Sequence, residues 1–109
     1  MIQNEIIEEL VLGLNRIIGD KLDCVILYGS VARGEDRNES DVDIAFVVKT
    51  SLDDEMKNAF FHWNADLDMK YNRVFSIIDI ERETFDKWGD IHPFYKSIRN
   101  EGIVLWKAA

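Results

Sequence analysis

Two short β-branched runs, each interrupted by residues that a buried strand does not favour, constrain this chain more than anything else in it. The first, Asp23-Cys24-Val25-Ile26-Leu27-Tyr28, stops at Gly29-Ser30. The second, Val42-Asp43-Ile44-Ala45-Phe46-Val47-Val48, is preceded by Asp41 and carries another acid within it. Ten residues separate Ser30 from Asp41. Both runs are too short for helices and have strand composition, so the sequence predicts two neighbouring strands at about 22–28 and 42–49. A charge inside a buried strand must be paired or bind a cation, and breaks in local logic of this kind gather at functional sites.

Each break has a chemical use. Gly29 has no Cβ, so the chain can turn sharply there and a phosphate can come close to the backbone. Ser30 adds a hydroxyl. If residues 30–33 begin a short helix, its free N–H groups favour an anion, and Arg33 can add a charge-assisted contact to a phosphate oxygen. Residues i and i+2 of a strand share a face, which puts Asp41 and Asp43 on one side, about 6–7 Å apart along the chain. Two such carboxylates can hold Mg²⁺ while leaving positions for triphosphate oxygens and water. Such an ion also neutralises charge on the phosphorus and on departing pyrophosphate. A lone Gly-Ser or a lone Asp-x-Asp is commonly a plain turn; it is their combination that points to nucleotidyl transfer.

Gly29-Ser30, ten residues, then Asp41-Val42-Asp43 resembles the signature of the DNA polymerase β-like nucleotidyltransferase superfamily. The small size, the flanking Ala32-Arg33-Gly34 and Ser40, and the closing segment from Pro93 to Trp106 resemble its minimal nucleotidyltransferase branch, the antitoxin half of HEPN/MNT toxin–antitoxin pairs. The resemblance runs from about Lys21 onward. It implies a mixed sheet, catalytic and metal-binding roles for Asp41 and Asp43, and nucleotide binding by Gly29, Ser30 and Arg33. It also implies ATP as substrate, Mg²⁺ as cofactor and a tyrosine of a HEPN toxin as acceptor. Active members usually carry a third acid on a later strand. Here that strand, 74–80, offers Ser76 at its centre and Asp79 near its end. By alternation only one of them faces the site, and the family pattern favours Ser76. Two readings follow. One is an enzyme that moves AMP from ATP to a hydroxyl; the other is a binding module that neutralises its partner by contact with little catalysis left.

The 109 residues, 47% of them apolar, suit one α/β domain over the whole chain. No run is long enough to span a membrane and no signal-peptide pattern opens the chain, so the sequence predicts a soluble, cytoplasmic protein, with an oligomer possible. A net charge of −8 argues against general nucleic-acid binding and fits a basic protein partner. The single cysteine, Cys24, reads as a buried thiol within the first strand.

Along the chain, apolar residues from Ile6 to Ile18 recur at 3–4 residue spacing, predicting a helix over 2–18 that ends at Gly19. Gly13 weakens its middle. Residues 34–40 read as a polar lip over the site. A second long helix starts with Ser51 as cap and runs to about 66, followed by a strand at 74–80, short helices over 81–88 and from Pro93 to 100, and an extended terminal piece over 103–106. That makes three strands with helices packed on them. Trp63, Trp88, Trp106, Phe60, Phe61, Phe75, Phe85 and Phe94 read mostly as core. His62 and His92 lack ligand spacing, and Lys49, Lys57 and Lys70 read as solvated.

Overall fold

The computed structural model describes residues 2–35 and 41–109. Among these, four strands form one mixed sheet: β1 (Leu22–Tyr28), β2 (Val42–Val48), β3 (Phe75–Glu81) and β4 (Ile103–Lys107), arranged β3-β2-β1-β4. β1 runs antiparallel to β2 and β4, whereas β2 and β3 are parallel. A parallel pair needs a long crossover, and the 18-residue helix α3 (Asp54–Tyr71) supplies it. The other helices are α1 (Asn4–Ile18), α2 (Gly29–Ala32), α4 (Arg82–Trp88) and α5 (Pro93–Glu101).

Strand alternation sorts the sheet's side chains between two apolar clusters. Val25, Leu27, Val42, Ile44, Phe46, Val48, Phe75 and Ile77 point to one face, where they meet α1 and α3. Cys24, Ile26, Ala45, Val47 and Ile80 point to the other, under Phe85 of α4 and Ile98 of α5. β2 lies between two strands and under both layers, so it is apolar throughout except at Asp43. α1 buries Ile6, Leu10, Gly13, Leu14 and Ile18 at helical spacing. Gly13 has a packing reason rather than a weakening one: a Cβ there would come within 2.5 Å of the Trp63 indole, so its absence lets α1 and α3 approach.

Several expectations change. The sheet has four strands, not three, because residues 103–107 pair with the free edge of β1, with a register shift between Val25 and Ile26. The cap of α3 is Asp53, whose carboxylate accepts from the Met56 N–H at 2.8 Å, rather than Ser51. This helix continues past 66 to Tyr71, where Asn72 ends it in the left-handed conformation at φ 48°. Asp68 near its end accepts from the Phe75 N–H at 2.8 Å and so fixes where β3 begins. Phe61, Trp88 and Phe94 are exposed, against the expectation that the aromatics are core. Cys24 is buried in β1, as read from the sequence. Of the lip over 34–40, residues 36–40, Ser40 included, lie outside the described residues.

Candidate active site

The end of β1 and the start of β2 are antiparallel neighbours, and this alone brings the two motif halves together. Tyr28 pairs with Asp43, so Gly29 follows directly beside the carboxylate. Gly29 has φ +75°, a conformation that only glycine adopts without strain. A Cβ on Gly29 would overlap the Asp43 carboxylate; the acid occupies the space that any larger residue would need. From Gly29 the chain makes one helical turn, α2, which ends at Arg33. Within α2 the first N–H groups have no intrahelical acceptor, and they sit at the same end of the sheet as Asp43.

Asp41 stands just ahead of β2 and is exposed, while Asp43 is half-buried as the second residue of the strand. Burial pushes the Asp43 carboxyl above its ordinary range, and the negative charge of Asp41 adds to this, with Arg33 opposing. A half-buried carboxylate whose charge is opposed by a neighbouring one suits a divalent cation, which relieves that repulsion. Tyr28 is likewise pushed up, by burial and then by Asp43. Arg33 does not reach into the site freely. It pairs at 3.6 Å with Glu35 and at 3.6 Å with Glu101 at the end of α5, all three being largely exposed.

Register settles which β3 residue lies beside Asp43. Ser76 pairs with Asp43 across the parallel ladder, so Tyr28, Asp43 and Ser76 form one row across β1, β2 and β3 on the face covered by α4 and α5. Asp79 pairs with Phe46, whose ring lies in the cluster on the opposite face. Among the described residues no third Asp, Glu, His or Cys joins Asp41 and Asp43. His62 is exposed on α3, and His92 accepts from the Phe94 N–H at 3.2 Å as the cap of α5. A separate cavity of about 480 Å³ opens between α1 and α3, on the far side of the sheet. Glu5, Glu8, Glu9 and Asp66 outnumber Arg16 and Lys70 along it, which does not suit a triphosphate.

The geometry can be set beside known proteins. The family described as "Polymerase beta, Nucleotidyltransferase" matches residues 14–108. The chain belongs to this nucleotidyltransferase family. It is 39% identical over 101 residues to "Putative protein adenylyltransferase MJ0141" of Methanocaldococcus jannaschii, covering 93% of this chain and 96% of that protein. Among solved structures, a toxin–antitoxin complex with AMP-PNP superimposes at TM-score 0.67 with 22% identity, over 94% of this chain and 73% of the other. A variant of the MntA–HpeT toxin–antitoxin superimposes at 0.66 with 20% identity and the same coverage. A Shewanella oneidensis structure reaches 0.58 at 17% identity, over 97% of this chain and 74% of that one. These likenesses show that the fold is that of nucleotidyltransferases. As a nucleotidyltransferase, the chain carries its Gly-Ser turn and its Asp-x-Asp at one sheet end, as read from the sequence. No helix among the described residues is long and apolar enough to cross a membrane.

Sequence reasoning did not find three neighbours of the site: Tyr28, Phe94 and Glu101. Tyr28 could have been found, since an antiparallel pairing of the two runs sets it opposite Asp43. Phe94 and Glu101 reach the site only through the docking of α5, for which the sequence holds no local signal.

Proposed function

We propose that this nucleotidyltransferase uses Mg²⁺ and ATP to place AMP on a tyrosine hydroxyl of a HEPN-type partner toxin, and so acts as its antitoxin. The observation that carries the reading is the contact between the two motif halves: the Asp43 carboxylate fills the place of a Gly29 Cβ, so the phosphate-holding turn and the two acids form one site. The resemblance to a protein named as an adenylyltransferase and the fold shared with toxin–antitoxin structures support the choice of reaction and of partner.

In this reading Asp41 and Asp43 hold the metal. Two carboxylates would suit Mg²⁺, which prefers to keep part of its shell for water and phosphate oxygens. When bound, the ion neutralises charge developing on the phosphoryl oxygens and on pyrophosphate. Gly29 and Ser30 take the β- and γ-phosphates through backbone N–H groups and the serine hydroxyl. Arg33 adds a cationic contact once it leaves Glu35 and Glu101. The tyrosine oxygen forms a bond to the α-phosphorus as the bond to the β-phosphate oxygen breaks. Attacking and leaving oxygens lie roughly in line, so with pyrophosphate at the end of β1 the acceptor enters from the side of Ser76.

A tyrosine hydroxyl has an ordinary pKa of about 10 and is a weak nucleophile when protonated. A carboxylate beside it as base would contribute about 10²–10⁴-fold. Ser76, not an acid, is the β3 residue paired with Asp43, which on this reading makes turnover slow. This same observation favours the second reading, neutralisation by contact. The test is to incubate the chain with ATP, Mg²⁺ and the HEPN-family product of an adjacent gene, then to weigh that product intact. A gain of one or more AMP units that disappears with Asp43→Asn supports transfer; a tight complex of unchanged mass supports contact alone.

A further inference from the structure

Helix α5 touches the site at both ends. At its C-terminal end Glu101 pairs with Arg33. Seven residues earlier, about 10 Å along the helix, the Phe94 ring meets Tyr28 edge-to-face with centroids 5.9 Å apart. Tyr28 is the residue beside Asp43 in the ladder. Phe94 is 42% exposed even so, and it is held from a second side by Tyr95 at 5.5 Å, again edge-to-face. The helix that presents it is well seated. Ile98 is buried against the sheet, Tyr95 packs on Phe85, and Arg99 donates to the Phe85 carbonyl at 3.1 Å. An aromatic ring fixed by two neighbours, presented by a docked helix and left open beside Tyr28, the ladder partner of Asp43, is a surface prepared for another flat ring.

We propose that Phe94, braced by Tyr28, is the stacking platform for the nucleobase of the nucleotide. The inference rests on the reading that a triphosphate binds at Gly29, Ser30 and the two acids. Side of approach separates the base from the acceptor ring. The acceptor enters opposite the leaving pyrophosphate, that is, past Ser76 on β3, whereas Phe94 lies over β1 at the other end of the row. The nucleoside is tethered to the reacting phosphorus and is the flat group left within reach of Phe94. Stacking on a ring uses no hydrogen bond that tells one base from another, so this platform supplies affinity for a nucleotide and little choice among bases.

The experiment measures Mg²⁺-dependent binding of ATP and of inorganic tripolyphosphate to the full chain by calorimetry. Four proteins are compared: wild type, Phe94→Ala, Phe94→Leu and Phe94→Trp. Leucine keeps an apolar contact for Tyr28 and removes the π face, so it separates stacking from packing. The expected result is that Ala and Leu weaken ATP binding by about 5- to 150-fold, that Trp preserves it, and that tripolyphosphate binds all four alike. Equal ATP affinity in wild type and Phe94→Ala overturns the inference. So does an equal loss of ATP and tripolyphosphate, which marks a damaged phosphate site, or full ATP affinity in Phe94→Leu. Unchanged ATP binding with lost transfer to a protein acceptor would assign the ring to the acceptor instead. A wild type that binds neither ligand overturns the underlying site and this inference with it.

Discussion

Replacing Gly29 by alanine should harm the molecule in two separable ways. The first is backbone strain: at φ +75° an L residue with a Cβ costs about 1–2 kcal/mol. The second is overlap, because the new methyl group falls on the Asp43 carboxylate and either the acid or the turn must move. Crowding of that kind costs about 1–3 kcal/mol, so the full change should be roughly 2–5 kcal/mol. Gly34 provides the control. It also has a positive φ, +80°, but no atom of the described residues lies within 4 Å of where its Cβ would be, so Gly34→Ala should cost about 1–2 kcal/mol only. Urea unfolding with an unchanged m-value measures both. The Gly29→Ala/Asp43→Ala pair should then recover the overlap component, appearing as a coupling of about 1–3 kcal/mol in a double-mutant cycle. If Gly29→Ala and Gly34→Ala are equally stable and the cycle closes at zero, the carboxylate does not lie against the turn, and the argument that joins the two motif halves fails.

In metal-free buffer Asp43→Asn should stabilise the protein at neutral pH. The folded-state pKa of Asp43 is raised, so the folded protein holds the proton more tightly and wild-type stability falls as pH rises from the unfolded value, about 3.9, through the folded one. Thermal melts of both proteins should therefore converge at pH 3 and separate by pH 7; a constant difference would contradict this. With Mg²⁺ present, the same substitution should remove ATP binding in calorimetry. Asp79→Asn should leave ATP binding within about twofold, less than the tenfold that 1.4 kcal/mol represents, because Asp79 faces away from the site. Metal density on Asp79 in a manganese-soaked crystal would refute that. Asp68→Ala should cost about 1–3 kcal/mol in urea unfolding, since the buried Phe75 amide loses its partner at the entry to β3.

What could be read in advance follows the range of the interactions. β1 and β2 carry their evidence within seven residues each, and the separation of Gly29-Ser30 from Asp41 points to a chemistry without knowledge of the sheet. Alternation alone put Ser76 and Asp79 on different faces, and register confirmed which one lies beside Asp43. β4 was not legible as a strand, because Ile-Val-Leu-Trp has no alternation and its partner β1 lies about eighty residues earlier. The start of α3 was misplaced by two residues because Ser51 and Asp53 are both good caps, and only the Met56 amide chooses between them. Exposure of Phe94 was illegible for a different reason. An aromatic at helical spacing looks like core whether it faces a sheet or a ligand.

The chain order of the site's parts also sets an order in time. Gly29, Ser30, Asp41 and Asp43 all lie between the first residue of β1 and the last of β2. Phe94, Glu101 and β4 come 46 to 59 residues after Val48. At the pace of synthesis, about 5–20 residues per second, the interval from Val48 to the start of β4 is roughly 3–11 s. For that time the nascent chain holds its acids and its turn but neither the helix that flanks them nor the strand that covers the edge of β1. Until Ile103 emerges that edge offers unpaired backbone groups to any passing strand, so a newborn chain on a crowded ribosome is most exposed to wrong pairing at the strand that ends in its own Gly-Ser turn.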